Sequence, residues 1–127
     1  MAYPTNFRYT REHEWIDLSG NIGAVGITDY AQNSLGDIVY VDMPKVGDLV
    51  TASQSFGSVE SVKAVSDLFS PVTGTVTAVN EELTSAPDKL NEKPHETWII
   101  KVELANPAEL DALLDAAAYE AFVAEES

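Results

Sequence analysis

The sequence predicts a mainly β, antiparallel fold with small helices at its edges. Three observations predict it. Short runs of β-branched and aromatic residues recur at close spacing. Gly, Pro and Asn stand between those runs. Sustained helical spacing of apolar residues begins only after Asn106.

The elements follow in order. Residues 13–18 and 22–27 read as two strands joined by a turn at Ser19-Gly20-Asn21. Thr28 caps a short helix near 28–35, and Gly36 ends it. Residues 37–42 form the next strand, after which Pro44 and Gly47-Asp48 break the chain. Further short strands lie at 49–51, 56–62, 65–69 and 75–79. Residues 80–94, with Pro87 and Pro94, read as irregular, and a strand returns at 97–102. Asn106-Pro107-Ala108-Glu109 reads as an N-cap, a first-position proline and an acidic first turn. Leu110, Leu113, Leu114 and Ala117 then follow at helical spacing, and Tyr119, Phe122 and Val123 extend a second apolar face. C-terminal helices near 107–125 are expected to pack on the sheet.

A chain of 127 residues is expected to be a single domain, 1–127, able to bury a core without staples. It has no Cys, which excludes disulfides, thiolate nucleophiles and Cys-ligated metals. Seven Lys and Arg face 21 Asp and Glu, a formal charge of −14. Such a surface repels phosphate backbones, so nucleic acid is not an expected partner. It favours basic patches on partner proteins. The first residues, Met1 to Arg8, read as neither a signal nor a transit peptide, and no stretch reaches membrane-spanning length. The cytoplasm is the expected compartment, or the mitochondrial matrix if a presequence was removed.

Catalytic patterns are nearly absent. His13-Glu14-Trp15 lacks the second His of a zinc helix, and His95 lies apart from it. Gly20, Gly23 and Gly26 do not open a long helix, so they are not a dinucleotide fingerprint. No metal site and no catalytic residue is expected. One stretch is different. Ser58-Val59-Glu60-Ser61-Val62-Lys63-Ala64-Val65-Ser66-Asp67 sets one lysine between two strand-like halves, and Pro71 and Gly74 follow. Val62-Lys63-Ala64 falls at an exposed turn between paired strands. That pattern fits a displayed attachment point; it also fits a lysine that discourages edge pairing.

These residues resemble the glycine cleavage H-protein family. The resemblance rests on Val59 to Asp67 with Ser70-Pro71-Val72-Thr73-Gly74. It extends through Tyr9-Thr10, His13-Glu14-Trp15, Gly26 to Gln32, Leu35 to Val39, Val79-Asn80, Leu83, Pro87 and Asn91. It covers residues 7–104 with a C-terminal helical pair to follow. The implied fold is a compact antiparallel two-sheet sandwich/barrel hybrid of the biotinyl/lipoyl-domain type. The chain departs from the family at Thr97, where Gly is usual before Trp98, and at His95, where an aromatic is frequent. Both departures touch the 91–98 loop.

The resemblance implies a non-enzymatic lipoyl carrier of the glycine cleavage system. Lipoate would be joined by an amide to Lys63. Glu60, Val62 and Ala64 would be read by the lipoyl-attaching enzyme. The arm spans about eleven bonds, on the order of 14 Å. Its partners would be a pyridoxal-phosphate glycine decarboxylase, a tetrahydrofolate-dependent aminomethyltransferase and dihydrolipoamide dehydrogenase. An amine and a sulfur on one carbon part readily unless the nitrogen is protonated. A nearby carboxylate favours the protonated form. Glu14 and Asp67 match the positions facing this amine, and Glu12 and Ser34 fall where the arm lies. A monomer is expected. Two alternatives stay open: a relay that hands lipoyl groups to other enzymes, and an unmodified interaction protein. Biotin-bearing domains usually flank the lysine with Met. Lipoyl domains of 2-oxoacid dehydrogenases usually place Asp before it and carry Pro/Ala linkers. Neither pattern is present.

Overall fold

The structure, a computed structural model, describes residues 3–126. The strands are β1 (Arg8–Tyr9), β2 (Glu14–Ser19), β3 (Ile22–Ile27), β4 (Ile38–Asp42), β5 (Leu49–Val50), β6 (Ser55–Ser61), β7 (Val65–Phe69), β8 (Gly74–Val79) and β9 (Ile100–Leu104). Three α-helices accompany them: α1 (Asp29–Leu35), α2 (Lys89–Glu92) and α3 (Ala116–Glu126). Two antiparallel sheets result, one ordered β1-β2-β3-β9-β8-β5 and the other β4-β6-β7. This is the two-sheet, mainly β architecture that the sequence predicts.

The alternation of side chains drives the closure. Val41, Val59 and Leu68 point inward from the small sheet, while Ile16, Val25, Val76, Ile100 and Val102 point inward from the large one. A second cluster joins Phe7, Tyr9 and Trp15 to Ala116 and Tyr119 of α3. Trp15 crosses Gly26 so closely that a Cβ there would stand 2.5 Å from the indole ring. That close approach accounts for Gly26, and the indole Nε1–H donates to the carbonyls of Ile27 and Pro94.

Helix α1 is built as its sequence predicts. Thr28 Oγ1 accepts from Ala31 N–H, and Gly36 closes the helix at φ 79°, with its N–H donating to Gln32 O. Two expectations need correction. Residues 80–94 are not irregular throughout: they hold a 3₁₀ turn (Glu81–Thr84) and the single-turn α2. The C-terminal helical pattern is also interrupted. A 3₁₀ segment (Pro107–Ala112) ends at Leu113, and Leu114 exchanges two backbone hydrogen bonds with Tyr9, at 2.8 and 2.9 Å. Tertiary pairing with β1 thus overrides the spacing of Leu110, Leu113, Leu114 and Ala117. The chain re-enters a helix only after Asp115, whose carboxylate accepts from Ala118 N–H at 2.8 Å. The expected strand at 97–102 is β9, which starts three residues later.

Candidate functional site

Strands β6 and β7 pair antiparallel, with Glu60 opposite Val65, and the turn between them is a short crest. Ser61 N–H donates to Ala64 O at 2.8 Å. The Ser61 hydroxyl accepts from the N–H groups of Lys63 and Ala64. Short polar side chains commonly brace turns in this way. Val62 N–H donates sideways to Asp37 O at 3.0 Å, which ties the crest to the segment after α1. Val62, Lys63 and Ala64 are exposed, as is Glu60 at the end of β6.

The lysine stem lies against Gly36. A Cβ at Gly36 would meet Lys63 Cε at 2.9 Å, so the floor beneath the stem carries no side chain. Asn91 of α2 holds that floor. Its amide donates to Gly36 O and Gln32 Oε1, and its carbonyl accepts from Ile38 N–H. Gly36 and Asn91 have this role only through tertiary contact. The hints in the sequence are the glycine that ends α1 and Asn91 among the residues of the family resemblance.

A half-open cleft of about 450 Å³ lies at the other end of β7. Glu14 and Glu12 both line it, with Thr10, Arg11, Phe69 and Glu109. Glu14 is 2% exposed. Its Oε1 accepts from the Thr10 hydroxyl and its Oε2 from Phe69 N–H at 3.2 Å. Thr10 Oγ1 in turn accepts from the N–H groups of Glu12 and Glu14. Burial pushes the Glu14 carboxyl up to about 8, despite these two donors and with a small further rise from Glu12. A carboxyl so placed keeps its proton at neutral pH unless a cation arrives beside it. Glu109 forms another wall, anchored to Thr73 N–H at 2.7 Å and Thr73 Oγ1 at 2.9 Å.

The expected arm residues are therefore spread over the site. Glu12 and Glu14 share the cleft. Asp67 is exposed midway along β7, opposite Ser58. Ser34 is exposed in the last turn of α1, two residues before the Gly36 floor. Neither Asp67 nor Ser34 lines the cleft.

Helix α3 holds the turn that carries Glu14. His13 has a φ of 71°, an uncommon conformation for a residue with a side chain. Its Nδ1 hydrogen-bonds the Tyr119 hydroxyl at 2.7 Å, and its Nε2 lies 3.3 Å from Glu126 Oε2. The same hydroxyl hydrogen-bonds Thr28 Oγ1 at 2.7 Å. His95, one of the two departures, accepts from Asp29 N–H at the start of α1, and burial lowers its pKa toward the neutral ring that can accept. Thr97, the other departure, is buried and donates to Lys89 O. Among the described residues, no cluster of three or more potential ligands could hold a metal. No helix among them is long and apolar enough to cross a membrane.

Comparison with known proteins gives consistent results. A family model described as "Glycine cleavage H-protein" matches residues 7–126. The "Glycine cleavage system H protein" of Acidobacterium capsulatum is 68% identical over 127 residues, covering 100% of this chain and 98% of that relative. The protein of the same name from Koribacter versatilis is 65% identical with the same coverage. A crystal structure of a glycine cleavage system H protein from Mycobacterium marinum is similar at a TM-score of 0.88 and 36% identity. It covers 96% of this chain and 99% of that one.

Proposed function

This chain belongs to the glycine cleavage H-protein family, the lipoyl carriers of the glycine cleavage system, and we propose that Lys63 is its attachment point and the Glu14 cleft its shelter for the cargo. One observation carries the proposal: the exposed Lys63 rests on a side-chain-free floor at one end of β7, and the buried Glu14 carboxyl, raised in pKa by that burial, lies at the other. The dimensions support it. From Val65 to Phe69 the strand advances about 13 Å at its usual rise per residue. A lipoyl-lysine arm reaches on the order of 14 Å.

When bound, the lipoyl group supplies a dithiolane that carries the aminomethyl group and then electrons. The chain supplies everything else. The braced Ser61–Ala64 crest holds the exposed Lys63 at the surface over Gly36, so that different enzymes meet it in one orientation. Glu14 holds a proton on its carboxyl while the cleft is empty. An amine brought beside it takes that proton, and the resulting carboxylate keeps it on the nitrogen as an ammonium. Thr10 and Phe69 N–H fix both oxygens in place for this exchange. The cleft walls at Glu109, Leu113 and Leu114 limit water. Asp67 places a second, solvated carboxylate between the two ends, and Glu12 and Ser34 border the path.

In this reading the chain is a single-domain, monomeric, cytoplasmic carrier without catalytic residues of its own. It passes among a lipoyl-attaching enzyme, a pyridoxal-phosphate glycine decarboxylase, an aminomethyltransferase and dihydrolipoamide dehydrogenase. Glu60, Val62 and Ala64 stand where the attaching enzyme would read the crest. The test is ammonia release from the loaded carrier. Glu14→Ala is expected to speed it, and Asp67→Ala to do so less. Unchanged release in both variants would remove the shelter.

A further inference from the structure

Seven large apolar side chains among the described residues stand in solvent, and four of them, Val39, Tyr40, Val62 and Val65, lie around the lysine crest. Single exposed apolar residues are ordinary, but a group gathered at one point is not. The sheet register arranges this group. Tyr40 pairs with Glu60 and Glu60 with Val65, so these three side chains form one row across β4, β6 and β7 on the outer face. The next outer row is Asp42, Ser58 and Asp67. An irregularity in β4 between Ile38 and Tyr40 turns both Val39 and Tyr40 out to solvent, at 51% and 54% exposure. Charge is equally one-sided. Residues 37–42 and 55–69 carry four acids, Asp37, Asp42, Glu60 and Asp67, and a single cation, Lys63.

We propose that this outer face of the β4-β6-β7 sheet, with Tyr40 and Val65 on either side of Glu60, is the docking surface for the enzyme that acylates Lys63. The inference rests on Lys63 being the attachment point. It says which flank of the crest is held. A four-residue crest offers far too little area for a specific contact, which needs roughly 800 Å² per partner. The remainder must come from a flank. The α1 flank presents the small or polar residues Ser34 and Gly36, whereas the outer face presents an aromatic ring and aliphatic groups. The complementary surface offers apolar seats for Tyr40 and Val65 on either side of a cation that meets Glu60, with further Arg or Lys toward Asp42 and Asp67. Docked so, the enzyme delivers an activated lipoyl adenylate to Nζ. The amine forms a C–N bond to the acyl carbon, the acyl–oxygen bond breaks, AMP departs with that electron pair, and the amine proton passes to water.

The experiment is steady-state modification of the full chain by a purified lipoate ligase with lipoate and ATP, with peptide mapping of the product. Tyr40→Ser and Val65→Ser are each expected to raise KM roughly tenfold at unchanged kcat, as for a central apolar contact. Val46→Ser and Leu49→Ser remove apolar groups elsewhere that are more exposed than Tyr40, and leave KM unchanged. Val65→Lys, which opposes those cations, raises KM further, and added salt raises the wild-type KM. All these positions are at the surface, so the fold is retained. KM within twofold of wild type for Tyr40→Ser and Val65→Ser overturns the docking surface, and so does an equal rise at Val46 and Leu49. A wild-type chain that takes no lipoyl group on Lys63 overturns the attachment reading itself, and this surface with it.

Discussion

The Lys63 crest is held by a four-residue turn whose braces, Ser61 and Ala64, are neighbours in sequence, with one lateral bond to Asp37. The Glu14 carboxyl is held by Thr10 and by Phe69 N–H, 55 positions away. Its own turn is held by Tyr119 and Glu126 at the far end of the chain. The crest presents a charge to water, where it costs little. The cleft keeps a carboxyl out of water, where its charge is disfavoured. The proposed carrier role uses both: an attachment point that any partner can reach, and a buried carboxyl whose charge a cationic cargo would favour.

This contrast can be broken at either end. The largest effect is expected from Lys63→Arg, which keeps the charge and removes the acylatable amine. Glycine turnover in a reconstituted system should fall to background while thermal unfolding stays where it was. Undiminished turnover would mean that the crest is not the working end.

Next comes the pH dependence set by Glu14. In the folded chain it keeps its proton up to about 8, whereas unfolding returns it to the ordinary value of 4.5. Between those values the folded state binds one more proton, so this group's contribution to stability is complete below 4.5 and falls as pH rises toward 8. Each pH unit removes at most about 1.4 kcal/mol, and the total is on the order of a few kcal/mol. Urea midpoints at pH 5 and 8 should therefore diverge more in the wild type than in Glu14→Gln. Equal divergence in both would show that the carboxyl ionises normally.

A smaller effect is expected from Thr10→Val, at about 2 kcal/mol, because a buried carboxyl oxygen and two N–H groups lose a partner. Thr10 also holds the Glu14 pKa down, so its loss should push that carboxyl higher still, measured by carboxyl NMR titration. The smallest belongs to the crest. Ser61→Ala should cost about 1 kcal/mol in chemical denaturation. It should leave the Glu14 titration untouched, because the two regions are braced independently.

The same contrast explains what could be read in the sequence. The crest, its two strands and the caps of α1 are local patterns: β-branched runs, a central lysine, Thr28 and Gly36. They appear in the structure within a residue or two of where the sequence places them. The cleft was visible only as single residues, Glu14 and Glu12, with nothing to say that Thr10, Phe69 and Glu109 would surround them. Leu114 shows the reason most plainly. Its spacing is helical, yet its backbone pairs with Tyr9, more than a hundred positions earlier. Asp115, the residue before α3, accepts from Ala118 N–H as an N-cap does, and the sequence expectations place no cap there. Of the glycines spaced in threes, Gly23 and Gly26 gain meaning only when Ile16 and Trp15 are seen lying across them, while Gly20 takes the positive φ of its turn.

The most direct test is intact mass followed by peptide mapping of the chain after incubation with lipoate, ATP and a lipoate ligase. The account predicts a single lipoyl adduct, carried on the peptide that contains Lys63 and absent from Lys63→Arg. An adduct on any of the other lysines, or an unmodified chain, would contradict it.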